Sequence, residues 1–142
     1  MATFNKFNCF VEDVAEKVHN LGADTLKVML TNSAPVATNT VRANLTEITG
    51  ANGYTTGGNT ASLTSSSQTS GTYKLVLADP ATWTASGGTI GPFRYAVLYN
   101  DTPTSPLDPL IGWWDYGSSI TLQIGDTFTV DFDPTNGVLT LA

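Results

Sequence analysis

The sequence holds one cysteine, one histidine and six lysines and arginines in 142 residues, and each scarcity removes a class of protein. Cys9 has no partner for an intrachain disulfide, so a disulfide-stapled secreted scaffold is excluded and folding in a reducing cytoplasm is expected. His19 with Cys9 cannot supply a zinc site, which draws on Cys or His pairs at ligand spacing. A hydrolytic triad or a cysteine nucleophile gains no support from one His, one Cys and no nucleophile-elbow motif. No Lys or Arg follows Arg94, while Asp101, Asp108, Asp115, Asp126, Asp131 and Asp133 all do, and the formal net charge is −6. Phosphate contact needs a basic face, so nucleic acid is not an expected partner. No apolar run approaches the ~20 residues of a membrane span, and the N-terminus lacks the basic start and apolar run of a signal peptide. The chain is therefore expected to be soluble and unprocessed, with no membrane partner, no cofactor, no metal and no enzymatic activity.

Charge of either sign is scarce. Charged residues make up 13% of the chain against 41% hydrophobic, so much of the surface falls to Thr, Ser, Asn and Gly. Such a surface suits permanent contact with other proteins.

What is present reads as a mainly β protein of one domain, residues 1–142. The pattern is clearest from Gly91 onward. Phe93, Tyr95, Val97 and Tyr99 alternate with Arg94, Ala96 and Leu98, and Phe128, Val130 and Phe132 alternate with Thr127, Thr129 and Asp131. This is the two-residue period of extended chain. Leu110 to Tyr116 lies between them, and Asp133-Pro134-Thr135-Asn136-Gly137 predicts a hairpin turn into Val138–Leu141. Earlier, Leu26, Val28 and Leu30 mark a strand, and Ser70-Gly71 predicts a hairpin between Ala61–Gln68 and Tyr73–Leu77. One amphipathic helix precedes them: Phe7, Phe10, Val11, Val14, Val18 and Leu21 form an apolar stripe over about 5–20, with Asn5 or Asn8 as its cap and Gly22 at its left-handed end. About eight short strands over 25–142 predict an antiparallel β-sandwich, jelly-roll-like, with an immunoglobulin-like arrangement as the rival topology.

Two stretches resist this pattern. Asn32 to Thr60 reads as a long loop ordered by contact, with a short helical turn at Asn44–Glu47. Asn100 to Pro109, with Pro103, Pro106 and Pro109, reads as a second surface loop.

Few residues suggest chemistry. His19, near the helix end, would favour the helix dipole if charged. Asp131 and Asp133 have the two-residue spacing of a calcium loop but lack its remaining ligands, and as neighbours on one strand they make a poor glycosidase pair, so the hairpin turn accounts for them. Trp113 and Trp114 face opposite ways on a strand, so an exposed one would stack on a sugar or anchor a protein interface.

Three runs carry a family likeness: Met1-Ala2-Thr3-Phe4-Asn5-Lys6-Phe7, Asp24-Thr25-Leu26-Lys27-Val28-Met29-Leu30-Thr31-Asn32-Ser33-Ala34-Pro35, and Trp113-Trp114-Asp115-Tyr116. Together they resemble the head decoration, or cementing, proteins of tailed bacteriophages. The resemblance implies a jelly-roll-like virion protein, made in the bacterial host cytoplasm, that binds the capsid exterior and bridges capsomers. Its implied partners are the major capsid protein and itself, as a homodimer, with a trimer as the alternative. Other phage structural proteins, of tail or neck, share the same β-rich, Thr- and Gly-rich texture. A carbohydrate-binding β-sandwich module is the rival from another class, and two or more aromatics exposed as a flat platform would favour it.

The expected partner interface combines the N-terminal segment with the first long loop. Phe4, Phe7, Phe10, Val11 and Val14 crowd the start of the helix, and Val36, Val41 and Tyr54 punctuate the loop. A small sandwich leaves such residues in need of a cover, supplied by the chain itself or by a partner.

Overall fold

A computed structural model describes residues 2–142. Its strands are β1 (Asn5–Lys6), β2 (Leu26–Thr31), β3 (Asn59–Thr60), β4 (Leu63–Thr69), β5 (Thr72–Leu77), β6 (Trp83–Thr84), β7 (Ile90–Asn100), β8 (Leu110–Leu122), β9 (Thr127–Phe128) and β10 (Leu139–Leu141), with one α-helix, α1 (Cys9–Ala15). They form a five-stranded sheet in the order β1-β8-β7-β2-β3, a three-stranded sheet β10-β5-β4 and a two-stranded ribbon β6-β9. All pairs are antiparallel. The protein is thus mainly β, an antiparallel sandwich with a single N-terminal α-helix, as the alternation predicted.

The five-stranded sheet is buried on both faces. Alternate residues of a strand point to opposite sides, and here Leu26, Val28, Leu30, Ala96 and Leu98 face the main core with Leu75, Leu77, Trp83 and Phe93. Met29, Val97, Tyr99 and Leu110 face the other way and meet Phe7 and Leu45 in a second, smaller core. The second core exists because the N-terminal segment and the first long loop lie over that face. The β4-β5 hairpin closes as predicted over Ser70 and Gly71, with φ of 50° and 84°; two positive φ values match the strand twist of a two-residue turn.

The helix is shorter than its stripe. Asn5 and Lys6 pair with Trp113 and Gly112 as strand β1, and the Phe7 N–H donates to Ile111 O at 3.2 Å. Strand spacing therefore accounts for the first part of the apolar pattern. Asn8 occupies the N-cap position without a side-chain hydrogen bond. At the other end Lys17, not Gly22, takes the left-handed conformation, with φ 66°. Its N–H donates to Val14 O at 3.3 Å and that of Val18 to Asp13 O at 2.8 Å. This is the Schellman closure, which satisfies carbonyls the helix leaves open.

The predicted hairpin at Asp133–Gly137 is also corrected. The turn is present, with the Gly137 N–H donating to Asp133 O at 2.9 Å, but its two arms belong to different sheets. β9 pairs with β6, while β10 pairs with β5. Residues 129–132 alternate without a strand partner, because Phe132 and Val130 pack onto the main core from above the sheet. In the first long loop the short helix is a single 3-10 turn at Arg42–Asn44, and Asn44 closes it: its Oδ1 accepts from the N–H groups of Thr40 and Val41.

Candidate functional site

The proposed interface residues separate into three groups. Phe7, Phe10 and Tyr54 are core residues, exposed by 0%, 1% and 3%, and the chain itself covers them. Phe7 packs on Trp113 with ring centroids 4.5 Å apart, and Phe10 sits 5.4 Å from the His19 ring. Tyr54 reaches into the main core beside Trp83. Residue type alone could not distinguish these buried rings from docking residues. Phe4, Val14 and Val41 are half-buried. Val11 and Val36 are exposed by 57% and 53%. Their elements are joined: the Asn8 N–H donates to Ala37 O at 2.9 Å, and Cys9 Sγ lies 3.6 Å from Thr40 O. The surviving surface is therefore the outer side of α1 with the adjoining residues 36–41.

Next to residues 36–41 in the chain, a polar network holds the rest of the first long loop in place. Glu47 Oε1 accepts from Tyr54 Oη and from the Gly57 N–H, both at 2.6 Å, and Oε2 accepts from Arg42 Nη1 at 3.1 Å. Arg42 Nε donates to Asp108 Oδ2 at 2.8 Å, and its backbone N–H donates to Asp108 O at 3.0 Å. The guanidinium lies over the Tyr99 ring, 5.3 Å from its centroid. Tyr99 Oη in turn donates to Gly57 O at 2.7 Å, and Tyr54 Oη accepts from the Leu30 N–H at 3.0 Å. The two long loops are thus clasped through one cation and two carboxylates. Burial works against the Arg42 charge, but the Asp108 hydrogen bond and the Asp108 and Glu47 carboxylates outweigh it, and the pKa rises. Burial, followed by the bond to Glu47, raises that of Tyr54. Arg42 and Glu47 are the only charged residues between Asn32 and Thr60. That isolation was the sequence signal for the clasp, and the interface reading missed it.

His19 lies beyond the helix, buried, with its side chain fully covered, which corrects its placement as a charged group at the helix end. Asn100 Nδ2 donates to Asp24 Oδ2 at 2.6 Å and to His19 Nδ1 at 3.1 Å. The neutral ring therefore carries its proton on Nε2, which faces Asp13 Oδ2 at 3.8 Å. Burial pushes the imidazole down to about 4, against the opposing charge of Asp24. Cys9 is half-buried, and burial, reinforced by Asp13, pushes its thiol up to about 11. A thiol held protonated in this way is a poor nucleophile.

A cleft of about 470 Å³ runs between β8 and the C-terminal segment, lined mostly by aromatic and aliphatic side chains. The Trp114 ring is flanked by Phe4 at 5.3 Å and Phe132 at 5.4 Å. No side chain fits at Gly112, because the Phe4 ring occupies the place of a Cβ. Of the aromatics only Tyr116 is strongly exposed, by 56%, and its ring meets Phe128 edge to face. Arg94 grips Asp115 in a bidentate pair at 2.7 and 2.9 Å, which lowers the Asp115 pKa. Asp133 accepts from the N–H groups of Asn136 and Thr135, both at 2.8 Å, and so caps its own turn.

Among the described residues no three His, Cys, Asp or Glu side chains gather at metal-binding distance, and no helix is long and apolar enough to cross a membrane. No protein-family model, no curated protein and no solved structure matches this chain.

Proposed function

We propose that this protein is a structural component of a tailed-phage virion that binds the outside of the capsid, bridges neighbouring capsomers and self-associates as a dimer. The observation that carries the reading is the meeting of the three runs that resemble decoration proteins. Asn5 and Lys6 of the first run pair directly with Trp113 and Gly112 at the edge of the third. The second contains β2, the strand between β7 and β3 in the same sheet. The likeness thus falls on one sheet, with β7 between the strands of its second and third runs.

The surface that meets the major capsid protein is the outer side of α1 with residues 36–41. Exposed Val11 and Val36 supply apolar anchors there, and the Asn8–Ala37 and Asn44 hydrogen bonds fix residues 37–41 before binding, so little ordering entropy is lost on association. Binding to the assembled shell alone stabilises it by mass action. A flat sugar platform is not offered by the tryptophans, since Phe7 packs on Trp113 while Phe4 and Phe132 flank Trp114. This favours the virion reading over a carbohydrate-binding module.

The test is co-sedimentation of the purified chain with undecorated tailed-phage capsids, followed by heating. The reading expects a saturable bound fraction, genome or shell loss at a higher temperature in decorated particles, and at least ~10-fold weaker binding by Val11→Asp with Val36→Asp at unchanged melting temperature. Absence of binding, or identical heat profiles with and without the protein, overturns it.

A further inference from the structure

β4 is the outer strand of the three-stranded sheet and pairs along one side only, with β5. In an antiparallel ladder alternate residues turn their N–H and C=O groups away from the neighbour, so a row of backbone donors and acceptors lies along the free side of Leu63–Thr69. Among the described residues no strand or loop takes them up. Such an edge is a template for another strand, and proteins commonly guard it with Lys, Pro, an inward charge, a bulge or a short length. β4, Leu-Thr-Ser-Ser-Ser-Gln-Thr, has one of these guards, a bulge between Leu63 and Ser65 at its first end, and none over Ser65–Thr69. The other outer strands are short or differently placed, although β8 stays unpaired on its outer side beyond Trp113. β1 covers the start of β8, β3 covers part of β2, and β10 is only three residues long.

Charge selects the occupant. With a formal net charge of −6, two copies of this chain repel over most of their surfaces, but residues 48–73 contain no charged side chain. β4 lies inside that neutral stretch. An edge made of backbone groups and small hydroxyl side chains is self-complementary when the second strand runs antiparallel, as a two-fold axis requires. The one charge opposite it within the sheet is Lys74, across from Ser67.

We infer that two copies of this chain pair antiparallel along β4, about a two-fold axis near Ser66, to make one continuous six-stranded sheet. This rests on the self-association half of the proposed function and gives it a surface. Ser65 and Ser67 share a face, with their Oγ atoms 3.5 Å apart, and across the axis Ser65 faces Ser67 of the second copy. A seven-residue edge buries less than a standard interface, so the dimer should be concentration-dependent, with a Kd of about 1 to 100 μM.

Sedimentation velocity of the full chain across that range tests the pairing. Ser65→Lys with Ser67→Lys puts like charges directly opposite one another across the axis, which cross-strand pairing disfavours; at least ~10-fold weaker self-association is expected, with a small fall in melting temperature because Ser67 already faces Lys74 within the sheet. Ser65→Glu with Ser67→Glu should weaken self-association likewise, and mixing the two variants should restore a dimer containing one copy of each. A chain that stays monomeric throughout the range, or a dimer unaffected by either charge pair, overturns the inference. The second outcome leaves self-association standing through another surface. Capsid binding measured separately distinguishes the converse, in which the β4 dimer survives and the virion reading fails.

Discussion

Residues 32–58 and residues 129–138 both run outside the main strand ladders, yet they are fixed by different means. The first stretch is tied inward by a cation, two carboxylates and two tyrosine hydroxyls, all at least partly shielded from water. The second is held by an apolar plug of Phe132 with Val130 and Val138 beside it, by a hydrogen bond from the Phe132 N–H to Asp79 Oδ1 at 2.7 Å, and by a turn that caps itself. Irregular backbone can therefore be ordered either by a shared polar network or by local closure over a core residue. Damage should spread differently in the two cases: a network couples distant loops, whereas a self-capped turn fails alone.

Tyr54→Ala should produce the largest effect. The ring is fully buried and its hydroxyl joins Leu30 to Glu47, so a loss of about 3 to 5 kcal/mol is expected. Melting should fall by roughly 10 °C. Denaturant unfolding checks this, and Tyr54→Phe separates the hydroxyl from the ring. A loss smaller than that of a surface substitution would show that the clasp is not structural.

Acidification comes next, through the connection between α1 and β2. His19 titrates near 6.5 when unfolded but is pushed down to about 4 in the folded chain. The unfolded chain therefore binds more protons between these values, and stability is lost as pH falls from about 6.5 towards 4. Loss of about 3 kcal/mol is expected at the lower end. Protonation at Nδ1 also removes the acceptor used by Asn100. His19→Gln should flatten the dependence of unfolding free energy on pH in that window, and an unchanged slope would refute the assignment.

Arg42→Met should cost less, about 1 to 2 kcal/mol, because its side chain and those of its partners retain some contact with solvent. The informative readout is where the damage appears. Hydrogen exchange should quicken at Gly57 and in residues 101–109 together, since Arg42 joins the two loops. Arg42→Lys should not restore protection, because one ammonium cannot reproduce the forked contacts. Asp133→Ala should have the smallest effect: faster exchange confined to Thr135 and Asn136, whose N–H groups lose their acceptor. Propagation to the first long loop would break the contrast between the two regions.

The strands of the central sheet were legible because their partners demand alternation on both faces: Leu26, Val28 and Leu30 one way, with Met29 opposite. The same signal overreached at Phe128–Phe132, where a two-faced segment lies over the core with only Thr127 and Phe128 in a strand. Alternation reports that two sides differ, not that a neighbouring strand exists. The helix was overextended for a related reason, since Phe7 satisfies a helical step while belonging to the second core. At the candidate site the helix and the short turn were expected but with other bounds, and Phe7, Phe10 and Tyr54 could not be told from exposed anchors by type. Arg42, Glu47 and Asp108 were visible as rare charges in polar loops, but β2 and β7 start those loops at opposite ends of their pairing, and the convergence depends on the first loop running back to bridge Val41 with Pro109.

The pairing of β1 with β8 sets an order of events during synthesis. Asn5 and Lys6 leave the ribosome long before Gly112 and Trp113 exist, and β2 likewise precedes all of β7. At roughly 5 to 20 residues per second, the N-terminal strand waits some 5 to 20 s for its partner. Closing so long a loop before β7 and β8 have paired gains little against its entropy. The β7-β8 hairpin, local in sequence, is the natural first element of the central sheet, and β2 and β1 then add to its opposite edges. The residues proposed to touch the capsid thus acquire their final form only after most of the chain has been made, so assembly-competent protein appears in one late step.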